Sequence, residues 1–476
     1  MMNGNLARVI ATSSLLLGLA ACGARSTLAD LDGSSGAGGS AAASSGSVSA
    51  SSGAGGDAPP PVGPLEPAQL ALGHNHGCAL FGNGTVKCWG KNDRGQLGLE
   101  DTLDRGAAPG TMGAALPTVD LGQGRTAVAI AAGSHSTCAI LDTDELKCWG
   151  ANFQGKLGQG DTTNRGDKSG TMGDALAVVD LGAGARVGAV AVGNYHACAL
   201  LQDGSVRCWG DATASGVSAS HGAEPGTMGD ALPAVRLGAG KTAREIAAGF
   251  NTSCALLDDQ STKCWGVNSS GNLGLGDLEP RGDSPETMGD ALPAIDFGAP
   301  RVVIQMAPSS SSSCALLDDA SVRCWGNGVD LGLGGEENRG DKPGTMGVNL
   351  PAVDLGPGRA ALSLSAGARR ACALLEDRQI KCWGYNPEGQ LGQGDTNNRG
   401  DEPGEMGDAL ATVDLGTGRS ALAVEAGGFF TCAILDTREV KCWGLNTSGE
   451  LGLGDTSARG AEPGTMGDNL PVVVLW

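Results

Sequence analysis

Seven cysteine pairs recur along this chain, and in each pair nine residues separate the two cysteines while Trp-Gly follows the second. The pairs are Cys78 with Cys88, Cys138 with Cys148, Cys198 with Cys208, Cys254 with Cys264, Cys314 with Cys324, Cys372 with Cys382, and Cys432 with Cys442. Successive pairs begin 60, 60, 56, 60, 58 and 60 residues apart. A fixed internal period indicates repeated structural units that pack on their neighbours, so it constrains the architecture more than any single motif does.

Each unit predicts four short β-strands and no helix. In residues 361–416 the alternating segment 361–367 is followed by the cysteine hairpin, a glycine-rich loop and the short strand 411–416. Glycine is abundant, at 81 residues, but much of it recurs at fixed places in the unit and is therefore typical of turns. Thr-Met-Gly recurs in the long loop, and we expect its methionine to fill a gap in the packing.

The cysteine hairpin is the clearest local prediction. In the third unit Asp203-Gly204 separates two apolar runs, and a three-residue loop centred on Asp203 places Cys198 opposite Cys208. A cross-strand disulfide is then geometrically possible, and the same disulfide is predicted for all seven pairs. Zinc is disfavoured because structural sites need four ligands at closer spacing, and each unit offers only two cysteines. A buried pair of free thiols stays open as an alternative.

Seven four-stranded units in a row predict an all-β fold, a seven-bladed β-propeller. The first unit lacks the Val-Asp-Leu-Gly strand that precedes each later unit, and residues 470–476 at the C-terminus carry an equivalent apolar strand. We therefore expect the C-terminal strand to join the first blade and close the ring, which removes open sheet edges. The propeller is expected to span residues 67–476.

The N-terminal region predicts export. Residues 1–22 have Arg8, then a short apolar run, and end in Leu-Ala-Ala-Cys22, which resembles a bacterial lipobox. This resemblance implies lipidation of Cys22, and Gly23 after it favours the outer membrane; an ordinary signal peptide is the alternative. Residues 23–66 are rich in Ser, Gly, Ala and Pro and predict a disordered tether. An oxidising compartment would favour bridged cysteines.

The repeat resembles a known family. Residues 193–210, 386–395 and 446–455 carry Gly-x-x-His-x-Cys-Ala-Leu, Asp-Gly-x-Val-x-Cys-Trp-Gly and Asn-x-x-Gly-x-Leu-Gly-x-Gly-Asp patterns similar to the regulator of chromosome condensation repeat. The resemblance covers about residues 68–476 and implies a seven-bladed propeller. Its best-known member is a nuclear exchange factor for a small GTPase, an activity that we do not expect in an exported chain with a net charge of -20. That charge also disfavours nucleic acid as a partner.

Functional residues are expected in the loop before the first cysteine of each unit, since this loop varies on a repeated frame. Drift at exposed positions is the alternative. Aromatic and arginine side chains are typical contact residues at protein interfaces. The candidates for partner binding are Tyr195, Phe250, Arg369, Arg370, Phe429 and Phe430. By family resemblance, His76 and His196 support their turns through hydrogen bonds.

Two other motifs have simpler structural interpretations. Arg-Gly-Asp begins at Arg165, Arg281, Arg339 and Arg399, and its repetition at one frame position favours a turn with a local salt bridge over adhesion. Calcium at the Gly-Asp turns of Asp161, Asp395 and Asp455 is conceivable, although these turns lack a dense carboxylate loop. We predict no metal and no cofactor.

The sequence therefore predicts a monomeric, lipid-anchored propeller of the bacterial cell envelope that binds an unidentified protein. It contains no nucleophile elbow, phosphate loop or His-Glu-x-x-His motif, so catalysis is not expected. Two alternatives stay open. One is an exported hydrolase or lyase with its site at the channel mouth, and the other is an inhibitor of an extracellular enzyme.

Overall fold

The fold is all-β. The computed structural model describes Gly63, residues 65–298 and residues 300–476, and within these ranges the chain forms seven antiparallel sheets of three strands each. This arrangement is consistent with a seven-bladed propeller, and each sheet with the loop after it is called a blade below, numbered one to seven. Cys22, the predicted signal segment and nearly all of the predicted tether lie outside the described residues.

The strands, blade by blade, are β1 Pro67–Leu72, β2 His76–Phe81, β3 Val86–Gly90; β4 Ala127–Ala132, β5 Ser136–Leu141, β6 Leu146–Gly150; β7 Val187–Val192, β8 His196–Leu201, β9 Val206–Gly210; β10 Ala243–Ala248, β11 Thr252–Leu257, β12 Thr262–Gly266; β13 Val303–Pro308, β14 Ser312–Leu317, β15 Val322–Gly326; β16 Ala361–Gly367, β17 Arg370–Leu375, β18 Ile380–Gly384; β19 Ala421–Ala426, β20 Phe430–Leu435, β21 Val440–Gly444.

Helical structure in the described ranges is confined to the four-residue helix α1, Ala212–Ser215, and single 3-10 turns. The 3-10 turns are Gly113–Ala115, Phe153–Gly155, Gly173–Ala175, Gly229–Ala231, Pro285–Thr287, Gly289–Ala291, Gly328–Asp330, Gly347–Asn349, Gly407–Ala409 and Gly467–Asn469. None of these described helices is long and apolar enough to cross a membrane.

The cysteine hairpin has the predicted register. Cys198 in β8 stands directly opposite Cys208 in β9. The same direct pairing joins Cys78 to Cys88, Cys138 to Cys148, Cys254 to Cys264, Cys314 to Cys324, Cys372 to Cys382, and Cys432 to Cys442. In all seven pairs the sulfur atoms lie at bonding distance, 2.02–2.12 Å apart. Each pair is therefore placed for a disulfide within its own hairpin.

The turn of the cysteine hairpin requires a left-handed residue. This residue is glycine only in blades one and three, at Gly84 and Gly204. The other blades place non-glycine residues there, namely Asp144, Gln260, Ala320, Arg378 and Arg438. The hairpin thus keeps one geometry although the Asp-Gly signal of the third unit is absent from most of the others.

The predicted fourth strand does not extend any of the sheets. Its segment in the chain between blades one and two, residues 119–121, makes one backbone hydrogen bond to β3, from Val119 N to Val86 O at 2.8 Å. The next carbonyl groups bind the following blade instead, because Asp120 O accepts from Gly173 N and Leu121 O accepts from Lys147 Nζ. The segment is thus shared between two blades, which interrupts the ladder that four paired strands would need.

The C-terminal segment repeats this arrangement between blades seven and one. Val473 N donates to Val440 O in β21 at 2.8 Å, whereas Gly113 N donates to Val474 O at 2.8 Å. Lys87 Nζ donates to Leu475 O at 2.7 Å. The expected contact with the first blade is therefore present, and the backbone hydrogen bonds of the segment are divided between β21 and the loop of the first blade.

The hydrophobic core lies between successive sheets, and one fully buried tryptophan marks each interface. In blade two, Trp149 packs with Met172 and Leu97, and its Nε1 donates to Gln96 O in the preceding blade at 3.1 Å. Met288 and Met466 occupy equivalent core positions, so the predicted packing role of the repeated methionine is confirmed in these blades. Blades seven and one share such a core as well.

Candidate functional site: the loop face

The seven variable loops meet around one cavity. Residues from all seven blades line it, including Gly73, Ser134, Asn194, Gly249, Ser309, Gly367 and Gly427. Its volume is about 90 Å³, enough for several water molecules. The loop face, as used below, consists of residues 73–76, 133–136, 193–196, 249–252, 309–312, 367–370 and 427–430, together with the residues that follow each Trp-Gly, 91–94, 151–154, 211, 267, 327, 385 and 445.

Backbone hydrogen bonds between neighbouring loops hold this face together. Gly428 N donates to Gly73 O at 3.0 Å, which joins blades seven and one, and Ala368 N donates to Gly427 O at 3.3 Å. The backbones of these two loops lie so close together that a Cβ atom added to Gly367 would clash with Gly427 O. A side chain at Gly367 would therefore force these loops apart.

Two of the predicted candidates lie at the mouth of the cavity. The His74 ring centroid is 6.1 Å from that of Phe250 and 5.4 Å from that of Phe429. His135 joins the group, with its ring centroid 6.1 Å from that of His74. Burial, with a smaller contribution from Lys156, lowers the pKa of His135 to about 4. The mouth is thus an apolar and aromatic group whose imidazoles are neutral at pH 7.

Tyr195 lies beside an aromatic residue that the sequence did not single out. The rings of Phe153 and Tyr195 are 6.3 Å apart at 69°, and the two residues are 38% and 39% exposed. The Arg94 guanidinium lies over the Phe153 ring at 5.5 Å. This group exposes a large apolar area next to a cation, a composition typical of the centre of a protein interface.

Arg369 forms a second group of this kind. Its Nε lies 3.3 Å from Asp330 Oδ1, and its guanidinium is 4.7 Å above the Tyr385 ring. The Arg369 backbone is in the left-handed region, at φ 59°, in a tight turn between Gly367 and Arg370. Tyr385 and Asp330 could have been noticed from the sequence. The residue after each Trp-Gly varies between units, and so does the residue before Leu-Gly in the following loop.

Two of the candidates for partner binding, Arg370 and Phe430, are buried. Arg370 is 1% exposed, and its guanidinium donates to Gly428 O, Phe430 O and the Thr431 hydroxyl in the next blade. Phe430 is fully buried in the core shared by blades seven and one. Both residues stand two positions before a cysteine, on the strand face that points between blades, so the expectation that they contact a partner is corrected.

His76 and His196 occupy the same position and are also buried. The Thr137 hydroxyl donates to Gln96 O, so His76 Nε2 donates to Thr137 Oγ1, at 2.9 Å. His196 Nε2 makes the equivalent bond to Ser253 Oγ at 2.8 Å. These bonds reach the next blade, whereas the expected bonds were within the turn. The pKa of both histidines is lowered to about 3, mainly by burial.

These histidines predict a defined pH dependence of stability. Between the unfolded pKa of about 6.5 and the folded pKa of about 3, the unfolded state binds more protons, so stability falls as the pH falls through this range. His196→Gln keeps a donor for Ser253 but does not titrate. We expect the stability advantage of the wild type over this variant to shrink by about 2 kcal/mol between pH 7 and pH 5 in urea unfolding. It should stay constant between pH 7 and pH 8, and a constant difference down to pH 5 would contradict the buried neutral imidazole.

Comparison with known proteins identifies the family of the chain. A family model described as the RCC1-like domain matches residues 32–422, and the RCC1 repeat model matches residues 422–450. The chain belongs to the RCC1-like domain family. Among curated RCC1-like relatives, the ultraviolet-B receptor UVR8 of Arabidopsis thaliana is 26% identical, and the match covers 82% of this chain and 79% of UVR8. The human E3 ubiquitin-protein ligase HERC2 is also 26% identical, over 79% of this chain but 7% of HERC2.

Solved RCC1-like structures agree with the fold. Prp20p of Saccharomyces cerevisiae matches with a TM-score of 0.57 at 18% sequence identity, over 76% of this chain and 81% of Prp20p. Human WBSCR16 matches with a TM-score of 0.57 at 19% identity, over 78% of this chain and 90% of WBSCR16. At this identity the likeness concerns the fold alone.

The variable residue before Leu-Gly in the glycine-rich loop is buried in six blades of this RCC1-like chain, which the sequence did not reveal. The side chains are Gln96, Lys156, Asn272, Asp330, Gln390 and Glu450. Lys156 Nζ donates to Asn194 O at 2.9 Å, and burial lowers the pKa of this lysine to about 7. Glu450 Oε1 accepts from Asn75 Nδ2 at 3.0 Å. Lys156 and Glu450 thereby hold the loops at Asn194 and Asn75 from beneath.

The aspartates considered for calcium are engaged within their own loops. Asp161 Oδ2 pairs with Arg165 Nη2 at 2.7 Å and Asp161 Oδ1 accepts from Thr163 N at 2.8 Å. Asp395 and Asp455 make the same ion pair with Arg399 and Arg459. The Arg-Gly-Asp arginines of blades two, four and six are therefore part of the predicted local salt bridge. In the part of the chain that the structure describes, no three His, Cys, Asp or Glu side chains converge on a metal position.

Proposed function

We propose that this chain is a protein-binding scaffold without catalytic activity, and that its loop face contacts the partner. The observation that carries the proposal is the pair of exposed groups on this face, Phe153–Tyr195 and Arg369–Tyr385. Aromatic and arginine side chains dominate the binding energy of protein interfaces. Here they stand on loops fixed by interblade hydrogen bonds, so little conformational entropy is lost on binding.

Relatives support binding to proteins without identifying the partner. Prp20p was crystallised in a study of its binding to Gsp1p and histones, and yeast RCC1 was crystallised bound to Kap60. We do not transfer these partners. The net charge of -20 further disfavours binding to nucleic acid, because such a surface repels phosphates. We expect the scaffold itself to be a monomer.

We further propose that the seven blades close into a ring in which each shared segment serves as a fourth strand. The contacts of residues 473–475 with both β21 and blade one support this proposal. So do the Gly428–Gly73 hydrogen bond and the core that blades seven and one share. A closed ring leaves no exposed edge on which another chain could pair.

For the cellular location, we propose a bacterial lipoprotein of the outer membrane, with residues 1–22 as signal, Cys22 as the lipidated residue and residues 23–66 as tether. The lipobox-like end of the apolar run supports lipidation. Seven cysteine pairs at bonding distance support an oxidising compartment outside the cytoplasm. Inhibition of an extracellular enzyme would be one form of this protein binding.

A pull-down with the full chain tests the binding proposal. Phe153→Ser combined with Tyr195→Ser should reduce recovery of the partner at least about tenfold, since each removes an exposed aromatic from the centre of the contact. Leu103→Ser combined with Leu278→Ser is the matched control, because it removes two exposed apolar side chains from other loops. Equal recovery with both double variants would contradict the proposal. Degradation of a cell-wall polysaccharide by the purified chain would favour the hydrolase or lyase alternative.

A further inference from the structure

The Arg369 guanidinium is held on two sides and available on a third. Asp330 faces its Nε, and the Tyr385 ring lies beneath its plane. Within the described part of the chain its two Nη groups donate no hydrogen bond, and the side chain is 38% exposed. An arginine fixed in this way presents a planar pair of donors, which matches the geometry of a carboxylate.

Asp330 is built to orient this arginine. It is 1% exposed, and its Oδ2 accepts from the Ser311 hydroxyl at 2.8 Å, so the carboxylate cannot turn away. Asp330 is buried whereas Arg369 is 38% exposed, so solvent screens the pair on the arginine side only, and the ion pair orients the guanidinium from below. The left-handed backbone of Arg369 adds to the argument, because a strained non-glycine residue persists only where its surroundings hold it.

The mouth of the cavity adjoins this arginine. Gly367 and Ala368 line the cavity immediately before Arg369 in the chain, and Ala368 N donates to Gly427 O in the loop that carries Phe429. The Phe429 and His74 rings are in edge-to-face contact at the mouth, with their centroids 5.4 Å apart. An apolar side chain that enters the mouth from a bound segment would therefore lie beside a group bound at Arg369.

The charges around the mouth favour an anionic ligand. Arg370 is buried there, and its hydrogen bonds go to carbonyl and hydroxyl oxygen atoms and not to a carboxylate. The positive charges of Arg370 and Lys91 act together with burial to lower the pKa of His74. Positive charge near Arg369 favours a negatively charged group on the partner.

We propose that Arg369 and the aromatic mouth form a two-part site for an extended peptide segment of the partner, in which a carboxylate side chain stands next to an apolar one. The carboxylate binds the Nη groups of Arg369, and the apolar side chain packs against Phe429, Phe250 and His74. This inference rests on the proposed function and specifies the chemistry of its ligand.

A displayed library of random linear peptides, selected on the immobilised full chain, tests the site. Selected peptides should be enriched in Asp or Glu adjacent to Phe, Leu or Trp. Arg369→Ala should raise the Kd of these peptides at least about tenfold, and Phe429→Ala by a similar factor. Arg359→Ala is the matched control, because it removes the same charge at the opposite end of β16, where Arg359 pairs with Asp377. It should leave the Kd unchanged.

Two further variants separate orientation from folding. Arg369→Lys retains the charge but not the planar donor pair and should still weaken binding. Asp330→Asn retains Arg369 but removes the carboxylate that orients its guanidinium, and should weaken peptide binding about threefold. Neither variant should change the unfolding midpoint.

The outcomes separate this proposal from the broader one. Selected peptides without acidic residues, or an unchanged Kd with Arg369→Ala, would overturn the carboxylate site. In that case, a weaker affinity of the Phe153 and Tyr195 double variant for the selected peptides would still place the binding surface on the loop face. If neither set of variants changed binding, or no peptide were selected, both proposals would be contradicted.

Discussion

Removal of residues 472–476 is expected to destabilise the protein more than any exposed substitution, by roughly 5 kcal/mol. Val473 and Leu475 are each 6% exposed, and burial of such side chains contributes about 1.5–3 kcal/mol each. The Trp476 ring packs edge-on against Phe81 and lies 3.8 Å from Lys87 Nζ. The truncated chain would leave this lysine without the Leu475 carbonyl and expose the cores of two blades.

Urea unfolding of the full and truncated chains measures this effect. Val474→Ser is a suitable control, since Val474 is in the same segment but 53% exposed, and it should change stability by less than about 0.5 kcal/mol. An unchanged unfolding midpoint after truncation would show that blades seven and one do not depend on the C-terminal segment, and the proposed ring closure would then be wrong.

Loss of the disulfides should have the second large effect. Each bridge would close a loop of ten to eleven residues in the unfolded chain, and the chain-entropy model assigns about 3 kcal/mol to a loop of this size. Cys198→Ala combined with Cys208→Ala should therefore lower the free energy of unfolding by about 3 kcal/mol. The same double variant should have little effect when the comparison is made under reducing conditions.

Mass spectrometry of unreduced, exported protein provides the direct check. Seven bridged peptides, each joining the two cysteines of one hairpin, are expected. If alkylation of the denatured, unreduced protein labels all fourteen of these cysteines, they are buried thiol pairs, and the argument for an oxidising compartment fails with them.

Much of the scaffold follows from the sequence because each repeat solves the same packing problem. Register could be counted from the turn at Asp203, and the methionine of the long loop could be assigned to packing because it recurs. The pairing of the fourth segment could not be predicted. A segment such as 119–121 has the same sequence pattern whether it pairs with one sheet or is shared between two.

The candidate site was predicted less completely, for reasons of strand alternation and burial. Tyr195, Arg369 and Phe429 stand three residues before a cysteine and reach the loop face, whereas Arg370 and Phe430 stand two before one and point between blades. Composition cannot reveal this difference, but counting from the cysteine could. Burial of Asp330 was not predictable in this way, because a carboxylate in a glycine-rich loop is ordinarily solvated.

Hydrogen exchange of the full chain, measured alone and with the captured partner bound, tests most directly whether the loop face is the binding surface. We expect slower exchange of backbone amides in residues 193–196 and 367–370, with no change in the outer loops around Leu103 and Leu278. Protection confined to those outer loops, with the loop face unchanged, would contradict the account.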